Sequence, residues 1–360
     1  MQLLSIDCLG RELRLEGTLS GWQALFWDNQ LVSEKNASAD PDPMSQHSFS
    51  LNRGETEYLC ELNCQLDWQP FGLEYELKIN QETVSSNRVQ QSDIEKQVPV
   101  ERQGPKEKIS PFGLMSLAFK LFKSVKVIKA LLVAGSLAAY SWLFSLPFAL
   151  GLILCLVVHE YGHVRAMKYF GMKTKGIYLI PFVGGLALSE NKINTRWQEV
   201  VIAIMGPFFG LLLSLASLVV YWFTGIEMFA GLAVYNALLN LFNLLPILPL
   251  DGGHIMKSIT FSMHSVVGLV LCILGAALGV LTSYYFGLAL LALMLAIGSS
   301  EIMMEWKMRK HNQLLPLDRY GQIFSIVWYL GTMIALASII YVLGQGDNEA
   351  LSLPMKILGS

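Results

Sequence analysis

The sequence predicts a polytopic α-helical membrane protein with about seven transmembrane helices, preceded by an N-terminal cytoplasmic all-β domain. Three observations predict it. Of the 360 residues, 53% are hydrophobic and only 15% are charged, and the mean hydropathy is +0.45, too apolar for a soluble protein of this length. The apolar residues are concentrated after Phe112 in long runs broken by short polar loops. Up to Lys108 the chain is instead mixed in polarity, with apolar and polar residues alternating at the period of a strand.

The β part comes first. "LRLEGTL", "QALFWDNQLVSEK", "HSFSLN", "EYLCELNCQLDW" and "LEYELKINQETVSS" alternate at period two and are separated by turn residues. "DNQ", Asp28 to Gln30, sits where a hairpin should close. This pattern fits a small antiparallel sandwich or barrel over residues 1–86. Residues 87–111 are polar, charged and interrupted by Pro99 and Pro105, and read as a linker. Cys8, Cys60, Cys64, Cys155 and Cys272 are too few and too scattered for a disulfide framework, so reduced thiols are expected. Cys60 and Cys64 lack the second pair that structural zinc needs. The N-terminus has no basic start followed by an apolar core, so no cleavable signal peptide is expected. A net charge of −2 gives no reason to expect nucleic acid as a partner.

The membrane domain spans residues 112–348, with a tail at 349–360. Seven segments reach the length of about 20 apolar residues that a bilayer requires: Val127–Leu146, Pro147–Phe170, Val200–Phe223, Met228–Pro249, Ser265–Tyr284, Tyr285–Met304 and Gln322–Leu343. Lysine and arginine cluster before the first, after the second, before the third and after the fourth and sixth. The loops "FTGIEM" and "TSYYFG" carry none. By the positive-inside rule the β domain is cytoplasmic and the tail lies across the membrane. A multi-pass protein of a bacterial inner membrane is the expected location.

Polar groups in an apolar span cost free energy and need a reason. In "VVHEYGHVRAMKYF", His159 and His163 are four apart and share a helix face. That spacing suits two imidazoles on one Zn²⁺ ion, with Glu160 beside them as general base. The competing reading is a pair of interfacial histidines facing headgroups. A catalytic zinc needs a third protein ligand, and the best candidate is Asp251. It ends an apolar run at the expected depth of His163. Pro246 and Pro249 break the helix before it, and Gly252 and Gly253 free the backbone after it. Taken alone, Asp251 would read as an interfacial turn residue. Broken backbone at that depth is tolerated only where it lines an enclosed, wet cavity.

The motifs H-E-Y-G-H at His159–His163 and N-L-L-P-I-L-P-L-D-G-G at Asn243–Gly253 together resemble the site-2 protease family of intramembrane zinc metalloproteases. "GPFFG", Gly206–Gly210, is similar to that family's small-residue motif, and "IYLIPFVGGLALSE" to its membrane-dipping hairpin. The likeness covers about residues 150–255. It implies that His159, His163 and Asp251 bind zinc and that Glu160 activates water. It further implies that Asn243 holds the substrate backbone or an oxyanion, with Gly184 and Gly185 at a substrate-binding edge. The implied substrate is a transmembrane segment of another protein, cut near the cytoplasmic face. No PDZ-like insertion separates the catalytic helices. Residues Gly21–Ser86 resemble the β-sandwich of the Fas apoptotic inhibitory molecule family, through "GWQALFWDNQLVSEK" and "FGLEYELKINQETVS".

Two other readings stand beside this one. One is a non-proteolytic membrane adaptor whose β domain binds a cytoplasmic protein. The other is a zinc peptidase of the prenyl-processing type, to which only H-E-x-x-H points. His254 reads as a loop histidine or a partner of Asp251. Cys155, one turn before His159, reads as core packing, and Gly206 with Gly210 as close helix contact without chemistry.

Overall fold

The fold was obtained as a computed structural model, which describes residues 1–18, 21–36, 43–53, 56–68, 70–97, 125–143, 146–180, 184–189, 193–263 and 314–345, with isolated positions between 270 and 277. Eight strands come first: β1 (Gln2–Cys8), β2 (Arg11–Gly17), β3 (Gln23–Trp27), β4 (Gln30–Lys35), β5 (Met44–Arg53), β6 (Thr56–Trp68), β7 (Phe71–Ile79) and β8 (Glu82–Gln90). They form two four-stranded antiparallel sheets, β1-β2-β3-β4 and β5-β6-β7-β8. Leu3, Leu13, Leu15 and Leu25 from the first sheet share one core with Leu62, Leu73 and Leu77 from the second. The expected hairpin at Asp28 is present, and both Asp28 and Asn29 have positive φ, the backbone that suits the right-handed twist of the flanking strands.

The helices follow: α1 (Gln91–Lys96), α2 (Val125–Leu143), α3 (Leu146–Tyr169), α4 (Arg196–Thr224), α5 (Glu227–Asn243), α6 (Asp251–Met263) and α7 (Arg319–Gly344). Between α3 and α4 lies a two-stranded antiparallel hairpin, β9 (Thr174–Ile180) with β10 (Gly184–Ser189). Among the described residues, three helices, α3, α4 and α7, are long and apolar enough to cross a membrane.

Helix boundaries follow local chemistry. α4 begins at Arg196, four residues ahead of the expected span, because Thr195 and Gln198 close a capping box: the Gln198 N–H donates to Thr195 Oγ1 at 3.0 Å and the Thr195 N–H to Gln198 Oε1 at 3.2 Å. It ends at Gly225 in the left-handed conformation, φ 68°. α5 stops at Asn243 rather than continuing to Pro249, because the prolines at 246 and 249 cannot continue a helix. Ala230, Ala233 and Ala237 give α5 a small-residue face in the bundle core with Val200, Ile204 and Ile255, which lets helices approach closely in lipid.

One sequence expectation changes here. The linker expected from residue 87 is ordered at its start. β8 runs to Gln90 and α1 follows, because Ile94 is buried, 1% exposed, in the β-domain core. One apolar residue in a polar stretch is easily averaged away. The β domain also meets the helical part directly. Asn194 Nδ2 donates to the carbonyls of Ile94 (3.1 Å) and Gln97 (2.8 Å), and Gln198 Nε2 to that of Glu95 (2.9 Å), so the free carbonyls at the end of α1 are satisfied from the start of α4. The expected spans at 265–284 and 285–304, most of the linker and the tail lie outside the described residues.

Candidate metal centre

The chemistry-bearing residues stand on two helices brought together by a third. α3 presents His159, Glu160 and His163, exposed to 4%, 5% and 7%. α6 presents Asp251 at its first position. One ligand atom from each of His159, His163 and Asp251 lies within 4.8 Å of the others. The two Nε2 atoms are 3.1 Å apart; Asp251 Oδ2 is 3.2 Å from His159 Nε2, and Oδ1 is 3.5 Å from His163 Nε2.

Hydrogen bonds fix which atoms face inward. His159 Nδ1 is 2.8 Å from Asn240 Oδ1, and His163 Nδ1 is 2.7 Å from the Ile202 carbonyl. Both oxygens only accept, so each Nδ1 donates and each Nε2 turns a lone pair toward Asp251. Asp251 Oδ2 is buried with no hydrogen-bond partner. Three acceptors therefore converge with no donor among them, which repels unless a cation is shared. Imidazole nitrogens and a carboxylate are the donor set of zinc, and Nδ1–H bonds to oxygen are how ligating histidines are usually oriented. The residues fit the metal.

Clearance comes from glycine. A Cβ on Gly206 would lie 2.4 Å from His163 Nε2 and 3.0 Å from His159 Cε1. One on Gly162 would meet the Met205 carbonyl oxygen at 2.1 Å. Gly206, expected with Gly210 to serve only helix contact, is what gives the ligand rings their room, while Gly210 lies against Asn240. Gly252 and Gly253 likewise let α6 pack on the turn before it, where added Cβ atoms would meet the Leu244 carbonyl oxygen at 2.1 Å and the Ile247 carbonyl carbon at 2.5 Å. Tyr329 Oη donates to the Leu244 carbonyl at 2.5 Å and pins that turn from α7.

Glu160 faces the hairpin. A Cβ on Gly185 would lie 2.2 Å from Glu160 Cγ and 2.3 Å from Oε1, and the Ala187 N–H donates to the Glu160 carboxylate. Gly184 pairs with Ile180 and Gly185 with Leu179 in the same hairpin. Asn243 stands apart: at the end of α5, its Nδ2 donates to the Leu239 carbonyl at 3.2 Å. Cys155 is buried in α3 as a free thiol. His254 lies on α6 rather than in a loop, with Nδ1 3.4 Å from Glu199 Oε1.

Sequence reasoning missed two groups of residues. One is Asn240 and, behind it, Asn236. The signal was present in "NALLNLFN", where 236, 240 and 243 recur at helical spacing on an apolar helix. The other is a buried ion cluster: Glu199 with Arg196 (2.7 Å), Lys257 (2.7 Å) and Ser258 (2.6 Å).

Residues 147–226 and 222–281 match peptidase family M50. The M50 match takes in His159, Glu160, His163, Asn243 and Asp251 and leaves out the β domain. A candidate zinc metalloprotease of Synechocystis sp. is 39% identical over 127 residues, 34% of this chain and 33% of that protein. A zinc metalloprotease of Methanocaldococcus jannaschii is 30% identical over 153 residues, 41% of this chain and 44% of that one. Stage IV sporulation protein FB of Bacillus subtilis is 31% identical over 107 residues, 29% and 37% of the two chains. The chain thus spans under half the length of each of these relatives.

Proposed function

We infer that the chain is an intramembrane zinc endopeptidase of the site-2 protease type that cuts transmembrane segments of other proteins near the cytoplasmic face. The observation that carries this reading is the convergence of His159, His163 and Asp251 within 4.8 Å, beside the buried Glu160, among helices long and apolar enough to cross a membrane. The M50 match and the names of the relatives support it.

A zinc ion held by His159, His163 and Asp251 would supply Lewis acidity toward a peptide carbonyl and toward water. The chain's own residues do the rest. Asn240 and the Ile202 carbonyl keep both Nδ1 atoms protonated and both Nε2 atoms aimed inward. Glu160 carries the proton, taking it from water and handing it to the leaving amine. The Ala187 N–H holds the Glu160 carboxylate in place. Because that N–H belongs to β10, an unwound substrate strand added along this hairpin would run past the proton carrier. Asn243 binds substrate in this reading, which requires its side chain to leave the Leu239 carbonyl.

The same reading has seven spans, the β domain and the C-terminal end of α3 on the cytoplasmic side, and a bacterial inner membrane as the location. The β domain then offers a binding surface for a cytoplasmic protein. The test is direct. Wild type and Glu160→Gln are purified in detergent, bound zinc is measured, and each is incubated with a panel of single-span membrane proteins. Zinc on both with cleavage by wild type alone is the expected result. Failure of the wild type to bind zinc while folded would reduce the histidine pair to a structural feature and leave the adaptor reading.

A further inference from the structure

A ladder of buried polar side chains runs from the middle of the α4–α5 contact to the metal centre. Asn236 Nδ2 donates to the Gly210 carbonyl (2.7 Å) and to Ser214 Oγ (2.8 Å). Asn240 Nδ2 donates to the Asn236 carbonyl (2.7 Å) and to Asn236 Oδ1 (2.9 Å). Asn240 Oδ1 then accepts from His159 Nδ1 at 2.8 Å. Ser214, Asn236 and Asn240 are each 0% exposed. Three such groups in an apolar helix pair are costly to bury unless they serve a purpose.

The ladder has a direction. The Gly210 carbonyl can only accept, so the Asn236 amide nitrogen must face it, which turns Asn236 Oδ1 toward Asn240. That oxygen and the Asn236 carbonyl together require the Asn240 nitrogen, which leaves Asn240 Oδ1 for His159. If the Asn240 amide flipped, its oxygen would meet two acceptors. Gly210 leaves no slack, since a Cβ there would lie 2.1–2.2 Å from the Asn240 amide atoms. His163 needs no such device, because its Nδ1 is held by a main-chain carbonyl.

We propose that Asn240 is the positioning residue of this centre: held by Asn236 and Ser214, it fixes the tautomer and ring orientation of His159 so that Nε2 faces the metal. The proposal rests on the zinc-site reading above. It concerns affinity for the ion before any substrate arrives.

The experiment uses the full chain in detergent and zinc alone. Zinc affinity is measured by competition with a chromophoric chelator, and thermal unfolding of the metal-free protein is followed in parallel. Asn240→Leu, which keeps the size and removes the acceptor, is expected to bind zinc about 10–100-fold more weakly. Asn240→Asp, which keeps an acceptor oxygen, is expected to restore most of that loss. Asn236→Ala, which touches no ligand but removes one of the two acceptors that hold the Asn240 amide nitrogen, is expected to weaken zinc severalfold. Asn240→Leu or Asn236→Ala that binds zinc as tightly as wild type would overturn the proposal and leave a packing role. So would equal losses in Asn240→Asp and Asn240→Leu. A wild type that binds no zinc would overturn the metal-site reading itself, and this proposal with it.

Discussion

Lys257 Nζ lies 2.7 Å from Glu199 Oε1, and the two side chains are exposed to only 4% and 8%. The pair ties the first turn of α4 to α6, and the first residue of α6 is Asp251. Arg196 and Ser258 take the other carboxylate oxygen, so Glu199 is fully engaged. Removing one partner of a buried charge cluster leaves the others uncompensated. Glu199→Gln should therefore destabilise the folded protein by about 3–5 kcal/mol. Thermal unfolding in detergent reads this, and an unchanged midpoint would mean the cluster contributes nothing net.

The two glycines at the centre should separate metal binding from proton transfer. Gly206→Ala places a methyl group against both imidazoles, and zinc affinity should fall at least about tenfold. Gly185→Ala presses instead on Glu160. It should leave zinc affinity within about twofold of wild type and lower the cleavage rate about 100-fold, the usual cost of displacing a catalytic group by about 1 Å. Chelator competition and a cleavage assay on the same preparations check both. Parallel losses in the two variants would contradict the division of labour.

The β domain carries its own pH dependence. His47 is 1% exposed, held by Ser33 Oγ and Gln23 Oε1 at 2.9 Å each. Burial, and secondarily the Lys35 charge, push its imidazole down from 6.5 to about 4. The folded value lies below the unfolded one, so the unfolded chain takes up the proton first as pH falls. The stabilisation is complete above about pH 6.5 and is lost progressively toward pH 4. About 3 kcal/mol is at stake over that window. Unfolding followed by tryptophan fluorescence between pH 7 and pH 4 should show this slope, and His47→Gln should flatten it.

Thiol chemistry offers a fourth check. Cys8, Cys60, Cys64 and Cys155 are buried and free, and burial pushes the Cys8 and Cys64 thiols up to about 12. With Cys272 replaced by serine, a thiolate-seeking reagent at pH 8 should label the folded protein slowly and the unfolded protein at all four positions. Rapid labelling of the folded protein at Cys8 or Cys64 would show that the two sheets open readily.

Much of this was readable from the chain. Period-two alternation located the strands of the β domain other than β1, and Asp28 with Asn29 marked a hairpin. Proline and glycine at 246–253 marked the break before Asp251. The histidine spacing named a shared helix face, and the helix puts both rings there. These are local properties, set by backbone sterics and side-chain periodicity, and a single sequence carries them in full.

What the tertiary structure alone decided is which distant groups meet. That α4 would lie with Gly206 under two imidazoles, that Asn240 rather than Asn243 would reach His159, and that Gly185 would back Glu160 depend on how three helices and a hairpin pack. Period and spacing place a residue on a face of its own element. They do not say which face of another element lies opposite, because in an apolar bundle many packings bury similar area. Here hydrogen bonds from buried amides and clearances of a single missing methyl group select among them.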